Sequence, residues 1–64
     1  MTAETIKQLR EARGWTQAEL ARRLNISRNG VNTWEQGLSM PSPHFLVELA
    51  KIFSVSTDFL LGVE

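Results

Sequence analysis

Apolar residues along this chain recur at spacings of three and four, and no stretch alternates with a period of two. Ile6 and Leu9 share one helical face, Leu20, Ala21 and Leu24 a second, Ile26, Val31 and Trp34 a third. Leu46, Leu49, Ala50 and Phe53 form a fourth. This is the period of helices that each bury one stripe. Residues that start and stop helices stand between the stripes. Thr2 is placed to cap a first helix running to about Arg13, and Gly14 follows its basic end, as helix C-termini prefer. Thr16 with Glu19 three residues on reads as a capping box, with Trp15 and Leu20 at the two positions of a hydrophobic staple. A helix is therefore expected over 17–24, stopped at Asn25, which tolerates a left-handed backbone. Ser27 caps a helix over 28–36, Ile26 and Val31 repeat the staple, and Gly37 closes it. Ser42-Pro43 is a cap followed by proline at the first helical position, opening a helix to about Phe53. Ser56 starts a short last helix through Phe59 and Leu60, ended by Gly62. The expectation is an all-α fold of five short helices, one domain over residues 1–64, without repeats or low-complexity linkers.

One stretch conflicts with this pattern. Asn29-Gly30 is a strong hairpin signal. A hairpin needs alternating strands on both sides, and neither side supplies one. With Ser27 as the cap, Gly30 falls at the third helical position, where it costs about 1 kcal/mol relative to alanine. The stretch reads as a helix with a weak spot.

Composition narrows the function classes. A chain of 64 residues buries only about 60% of its unfolded surface, and small domains often add disulfides or a metal. This chain has no cysteine, and its single His44 cannot complete a tetrahedral site, so no metal or cofactor is expected. A hydrophobic fraction of 42% argues against disorder. No run approaches the roughly 18 apolar residues of a membrane span, and no apolar signal core follows Met1. A cytoplasmic protein with no membrane partner is expected. No nucleophile–base–acid set and no glycine-rich phosphate loop supports an enzyme, and no small-molecule ligand is evident.

Charge adds a direction. The net charge is zero. Residues 1–34, however, carry six cations against three carboxylates, and residues 35–64 carry one against four. One face toward an anionic partner would show this asymmetry, and so would a solvated mosaic of charge.

Two helices at 17–24 and 28–36, joined by a three-residue break, make a helix-turn-helix at about 17–36. The second helix turns Arg28, Asn29, Asn32, Thr33 and Gln36 outward. That face has neither apolar residues nor carboxylates, whereas a solvated face is usually a mixture of Glu and Lys. Its side chains suit base edges: Arg pairs with guanine, Asn with adenine, and a Thr methyl meets the thymine methyl.

The segment "WTQAELARRLNISRNGVNTWEQG" resembles the helix-turn-helix of lambda-repressor-like regulators, the Cro, phage-repressor or XRE-type family. The resemblance covers almost the whole chain. "IKQLREARGWTQAELA" is similar to that family's first two helices and "FLVELAKIFSVSTDFLLG" to its closing pair. It implies that Gln17 contacts a phosphate and braces the first recognition residue, Arg28. Asn29, Asn32 and Thr33 would follow along the major groove. Thr16, Ser27 and Gln36 would lie near phosphates, helped by backbone N–H groups at helix starts. It further implies an internal, partly buried ion pair between Arg10 and Glu35. The chain departs from the family in lacking basic residues at Thr33, Leu38 and Met40, which reduces counterion displacement. It also departs at Gly30, where a missing side chain would either admit a phosphate or groove wall or simply be tolerated.

The implied function is a sequence-specific DNA-binding regulator, a phage or bacterial repressor. As a homodimer on double-stranded DNA it would read a palindromic operator with half-sites about 34 Å apart. The alternative is a protein-interaction module on the same fold, which the neutral charge, Leu38 and Met40 favour. Leu38-Ser39-Met40-Pro41 is then a partner contact or core lining. Ile52, expected to face away from the core stripe, is a candidate for a dimer surface. Trp15 is expected to serve as the staple and His44 to lie on the surface.

Overall fold

The computed structural model describes residues 3–62. The helices are α1 (Ala3–Ala12), α2 (Gln17–Leu24), α3 (Arg28–Glu35), α4 (Pro43–Phe53) and α5 (Thr57–Leu61). All regular structure among the described residues is helical, so the expected all-α class holds. Thr2, the expected cap of the first helix, lies outside them.

The helix starts follow from local chemistry. The hydroxyl oxygens of Thr16, Ser27 and Ser56 accept from the backbone N–H of Glu19, Gly30 and Phe59 at 3.0, 3.4 and 2.9 Å. Each satisfies a donor that the first turn leaves without a helical partner. Two expectations need correction. The capping box at α2 is only half formed, because the Glu19 carboxylate turns to Arg22 at 2.5 Å and Arg23 at 3.0 Å. Ser42 caps α4 through its backbone alone, and Pro43 supplies the helical φ.

The helix ends share one device. Asn25 (φ 60°) and Gly37 (φ 76°) adopt the left-handed conformation, and so does Ser54 (φ 55°) at the end of α4. In each case the next residue's N–H reaches back across the turn: Ile26 to Ala21 O at 3.0 Å, Leu38 to Thr33 O at 3.0 Å, and Val55 to Ala50 O at 3.0 Å. This closure consumes the orphan carbonyls and reverses the chain within a few residues. Arg13 adds a tertiary version, its Nη2 donating to Phe53 O at 3.2 Å at the C-terminus of α4.

All five helices feed one core. Ile6, Leu20, Ala21, Leu24, Val31, Trp34, Leu49, Phe53 and Leu60 are buried, and Leu9, Trp15, Ile26, Phe45, Leu46, Ala50, Ile52 and Val55 pack around them. Ile52 is thus half-buried against the core rather than facing away from it. The most extensive helix contact is between α2 and α3, where Ala21 is small enough to let the two approach. Among the described residues, Leu38, Met40, Val47, Phe59 and Leu61 are the large apolar residues left exposed. The Cα trace measures 28 × 23 × 19 Å.

Candidate nucleic-acid interface

Behind α3 lies a chain of polar contacts that begins on α1. The Arg10 guanidinium donates Nε to Glu35 Oε2 at 2.7 Å and Nη2 to Glu35 Oε1 at 3.0 Å, while Nη1 donates to Trp15 O at 2.7 Å. The side chains are 11% and 4% exposed. The bond to Glu35 outweighs the opposing effect of burial and raises the Arg10 pKa above its ordinary value, so the guanidinium stays charged. A forked, two-bond pair of this kind fixes orientation as well as charge.

Gln17, at the first position of α2, extends this chain toward the outward face. Its Nε2 donates to Glu35 Oε1 at 3.1 Å and to Asn32 Oδ1 at 3.3 Å. The expectation that Gln17 braces Arg28 is therefore corrected: the residue it holds is Asn32. Both amide hydrogens are engaged inward, so a Gln17 contact to an anion falls to its backbone N–H, an unpaired donor at the first helical position.

The structure brings the remaining outward residues onto one surface. Arg28, Asn29 and Gln36 are exposed, and Asn32 and Thr33 are half-buried. The Thr33 hydroxyl donates to Gly30 O at 2.8 Å and accepts from Ser39 Oγ at 3.2 Å. Its hydroxyl thus joins α3 to the following loop. The Thr16 and Ser27 oxygens accept cap bonds, which leaves each O–H free to donate outward.

Gly30 has an internal reason to lack a side chain. A Cβ there would point back toward the start of α3, as helical Cβ atoms do, and meet Ile26 Cδ1 at 3.3 Å. The missing atom faces the protein. Of the two readings of Gly30, this contact favours tolerance within the fold: the glycine accommodates Ile26.

Most of the basic half is engaged internally. Arg22 and Arg23 pair with Glu19. Arg23 also lies 4.1 Å over the Trp15 ring, and Arg13 sits 5.6 Å from the same ring. Trp15 in turn leans on Phe53, with ring centroids 5.6 Å apart. Trp15 therefore does more than staple α2: it carries two cations above a core edge. Arg28 alone on the α3 face is a cation with no ion pair among the described residues. The loop after α3 exposes Leu38 (72%) and Met40 (63%), while Pro41 is buried. Sequence spacing carried no signal for the Gln17 bridge, the Ser39–Thr33 link or the cation–aromatic stack, because each joins separate helices or loops.

Two helices joined through residues 25–27, the second presenting a polar, carboxylate-free face, define a helix-turn-helix domain. A family model described as "Helix-turn-helix" matches residues 6–60, and the chain belongs to that family. It is 39% identical over 57 residues to the HTH-type transcriptional regulator ImmR of Bacillus subtilis (strain 168), covering 89% of this chain and 45% of that protein. It is 39% identical over 61 residues to the HTH-type transcriptional activator BcrR of Enterococcus faecalis, covering 95% and 30% respectively. The chain thus spans less than half the length of these two relatives. Among solved structures, the biofilm master regulator SinR in complex with DNA is similar, with a TM-score of 0.84 and 31% identity over 95% of this chain and 98% of that one.

Proposed function

We propose that this chain is the DNA-reading domain of a transcription regulator, acting as a repressor, with α3 lying in the major groove. The observation that carries the reading is the α3 face. Arg28, Asn29, Asn32, Thr33 and Gln36 sit there without a carboxylate, and Asn32 is held from behind through Gln17, Glu35 and Arg10. Arg28, at the first position of α3, is the guanine-pairing candidate. The N–H groups at the starts of α2 and α3, with the Thr16 and Ser27 hydroxyls, supply neutral donors for phosphates. Gln36, at the end of α3, is assigned to the flanking backbone. The similarity to a DNA-bound regulator and to named transcription regulators supports this reading.

A single recognition helix contacts too few base pairs to be selective, so two copies are proposed to bind a palindromic operator, with half-sites about 34 Å apart. In vitro selection from random duplexes at several protein concentrations tests this. Enrichment of a two-fold site bound by two copies supports it. A folded protein that enriches no sequence at low salt overturns it. The exposed Leu38 and Met40 beside α3 favour a second reading, a protein-interaction module on the same fold, which that negative result would leave standing.

A further inference from the structure

The polar chain behind α3 constrains one base-reading side chain more than the others. The Glu35 carboxylate, paired with Arg10 through both oxygens, can only accept hydrogen bonds. Gln17 touches its Oε1 at 3.1 Å and must do so with Nε2. The second hydrogen on that nitrogen needs an acceptor, so Asn32, 3.3 Å away, must turn Oδ1 toward it. Rotating the Asn32 amide by a half-turn would set two donors against each other. No buried side-chain nitrogen or oxygen among the described residues lacks a partner, and Asn32 Nδ2 has none among them, so it faces solvent. Asn29 and Gln36 are exposed and lack such a tether.

We propose that this Arg10–Glu35–Gln17–Asn32 chain fixes the polarity of the Asn32 amide, so that position 32 offers only N–H donors and selects guanine over adenine. The proposal rests on the DNA-reading function above. Adenine presents an acceptor, N7, beside a donor, N6, and a pair of bonds to it requires both ends of an amide. With Oδ1 held inward, the two hydrogens of Nδ2 match the N7 and O6 acceptors of guanine. Thymine O4 accepts only one of them. Gln17 is in this sense a positioning residue: it sets specificity at a base it does not touch.

In vitro selection with the wild type and with Asn32→Ala tests the proposal, since the base pair that loses information in Asn32→Ala is the one Asn32 reads. At that pair the wild type should favour guanine over adenine by about 5- to 150-fold, the range of one good paired contact. Gln17→Met, which keeps volume and removes the donors, should bring guanine and adenine there near parity and leave other positions unchanged. Gln17→Leu, which also removes the donors and sets no second carboxylate against Glu35, should do the same. Independently of DNA, the Gln17 side-chain amide protons should exchange with solvent more slowly than those of Asn32. Adenine preferred by the wild type, no base pair responding to Asn32→Ala, or an unaltered profile in both Gln17 variants overturns the proposal and leaves DNA reading intact. A folded wild type that selects no sequence refutes DNA reading itself, and this proposal with it.

Discussion

Glu35→Ala is expected to remove a large share of the stability of this domain, and the structure indicates how much. The substitution deletes both carboxylate acceptors of a guanidinium whose side chain is 11% exposed, leaving Trp15 O as its remaining partner. Removing one member of a buried pair costs about 3–5 kcal/mol, chiefly because the other charge stays behind. A domain of 64 residues has about 3–10 kcal/mol in total. The loss is therefore at least about a third, and in a domain this small the melting temperature should fall by more than about 12 °C. Arg10→Met with Glu35→Leu should recover much of this, because neither charge then remains buried. Recovery stays incomplete, since Trp15 O and the Gln17 amide lose partners in that variant as well. Thermal and urea melts at pH 7, followed by circular dichroism, of the wild type, Arg10→Met, Glu35→Leu and the double variant give all four corners of the cycle, with Glu35→Ala measured alongside. If Glu35→Ala melts like the wild type, or the double variant is as damaged as the two single losses added, the buried-pair argument is wrong.

Arg28→Ala should weaken binding to a selected operator by about 1–3 kcal/mol and relax one base position, measured by titration against single-base variants of the site. Gly30→Ala should change stability by less than about 0.5 kcal/mol, its helix gain offset by the Ile26 contact. With Ile26→Val as background the same change should stabilise by up to about 1 kcal/mol, read by urea denaturation. A loss of binding at unchanged stability would instead show that Gly30 faces DNA. The Arg22 hydrogen bond, with Arg23 nearby, lowers the Glu19 pKa, so its contribution is present above the unfolded carboxylate value of about 4.3 and is lost as pH falls through the lower folded value. Glu19→Gln should flatten the stability profile in that acid window, lying below the wild type near pH 7 and converging with it as the pH falls.

Local signals were the legible part of this fold. Thr16, Ser27 and Ser56 announce helix starts because a hydroxyl three residues before an N–H is a covalently fixed opportunity. Asn25, Gly37 and Gly62 announce stops because few other residues adopt their backbone cheaply. Ser54 does the same work with no such announcement, since serine is not a residue that prefers the left-handed region. The site was legible as a face but not as a network. The resemblance supplied Arg10 with Glu35, while Gln17 meeting Asn32 instead of Arg28 depends on how α2 crosses α3. Apolar spacing does not encode that crossing. The charge asymmetry of the sequence overstates the free cations, because Glu19 and the Trp15 ring hold arginines that a sequence count leaves unpaired.

The dimensions of the domain have a consequence for assembly on the proposed operator. Its Cα envelope of 28 × 23 × 19 Å is shorter in every direction than one turn of B-DNA, about 34 Å. Two copies centred one turn apart leave a gap of about 6 Å if their long axes follow the duplex, and about 15 Å if their short axes do. Side chains extend a helix by about 3 Å beyond its Cα cylinder on each side. They close the first gap and leave the second open. Placed in this way, the described residues of two copies would meet only end to end. The palindrome would then act as the template that pairs them, with occupancy of one half-site recruiting the other.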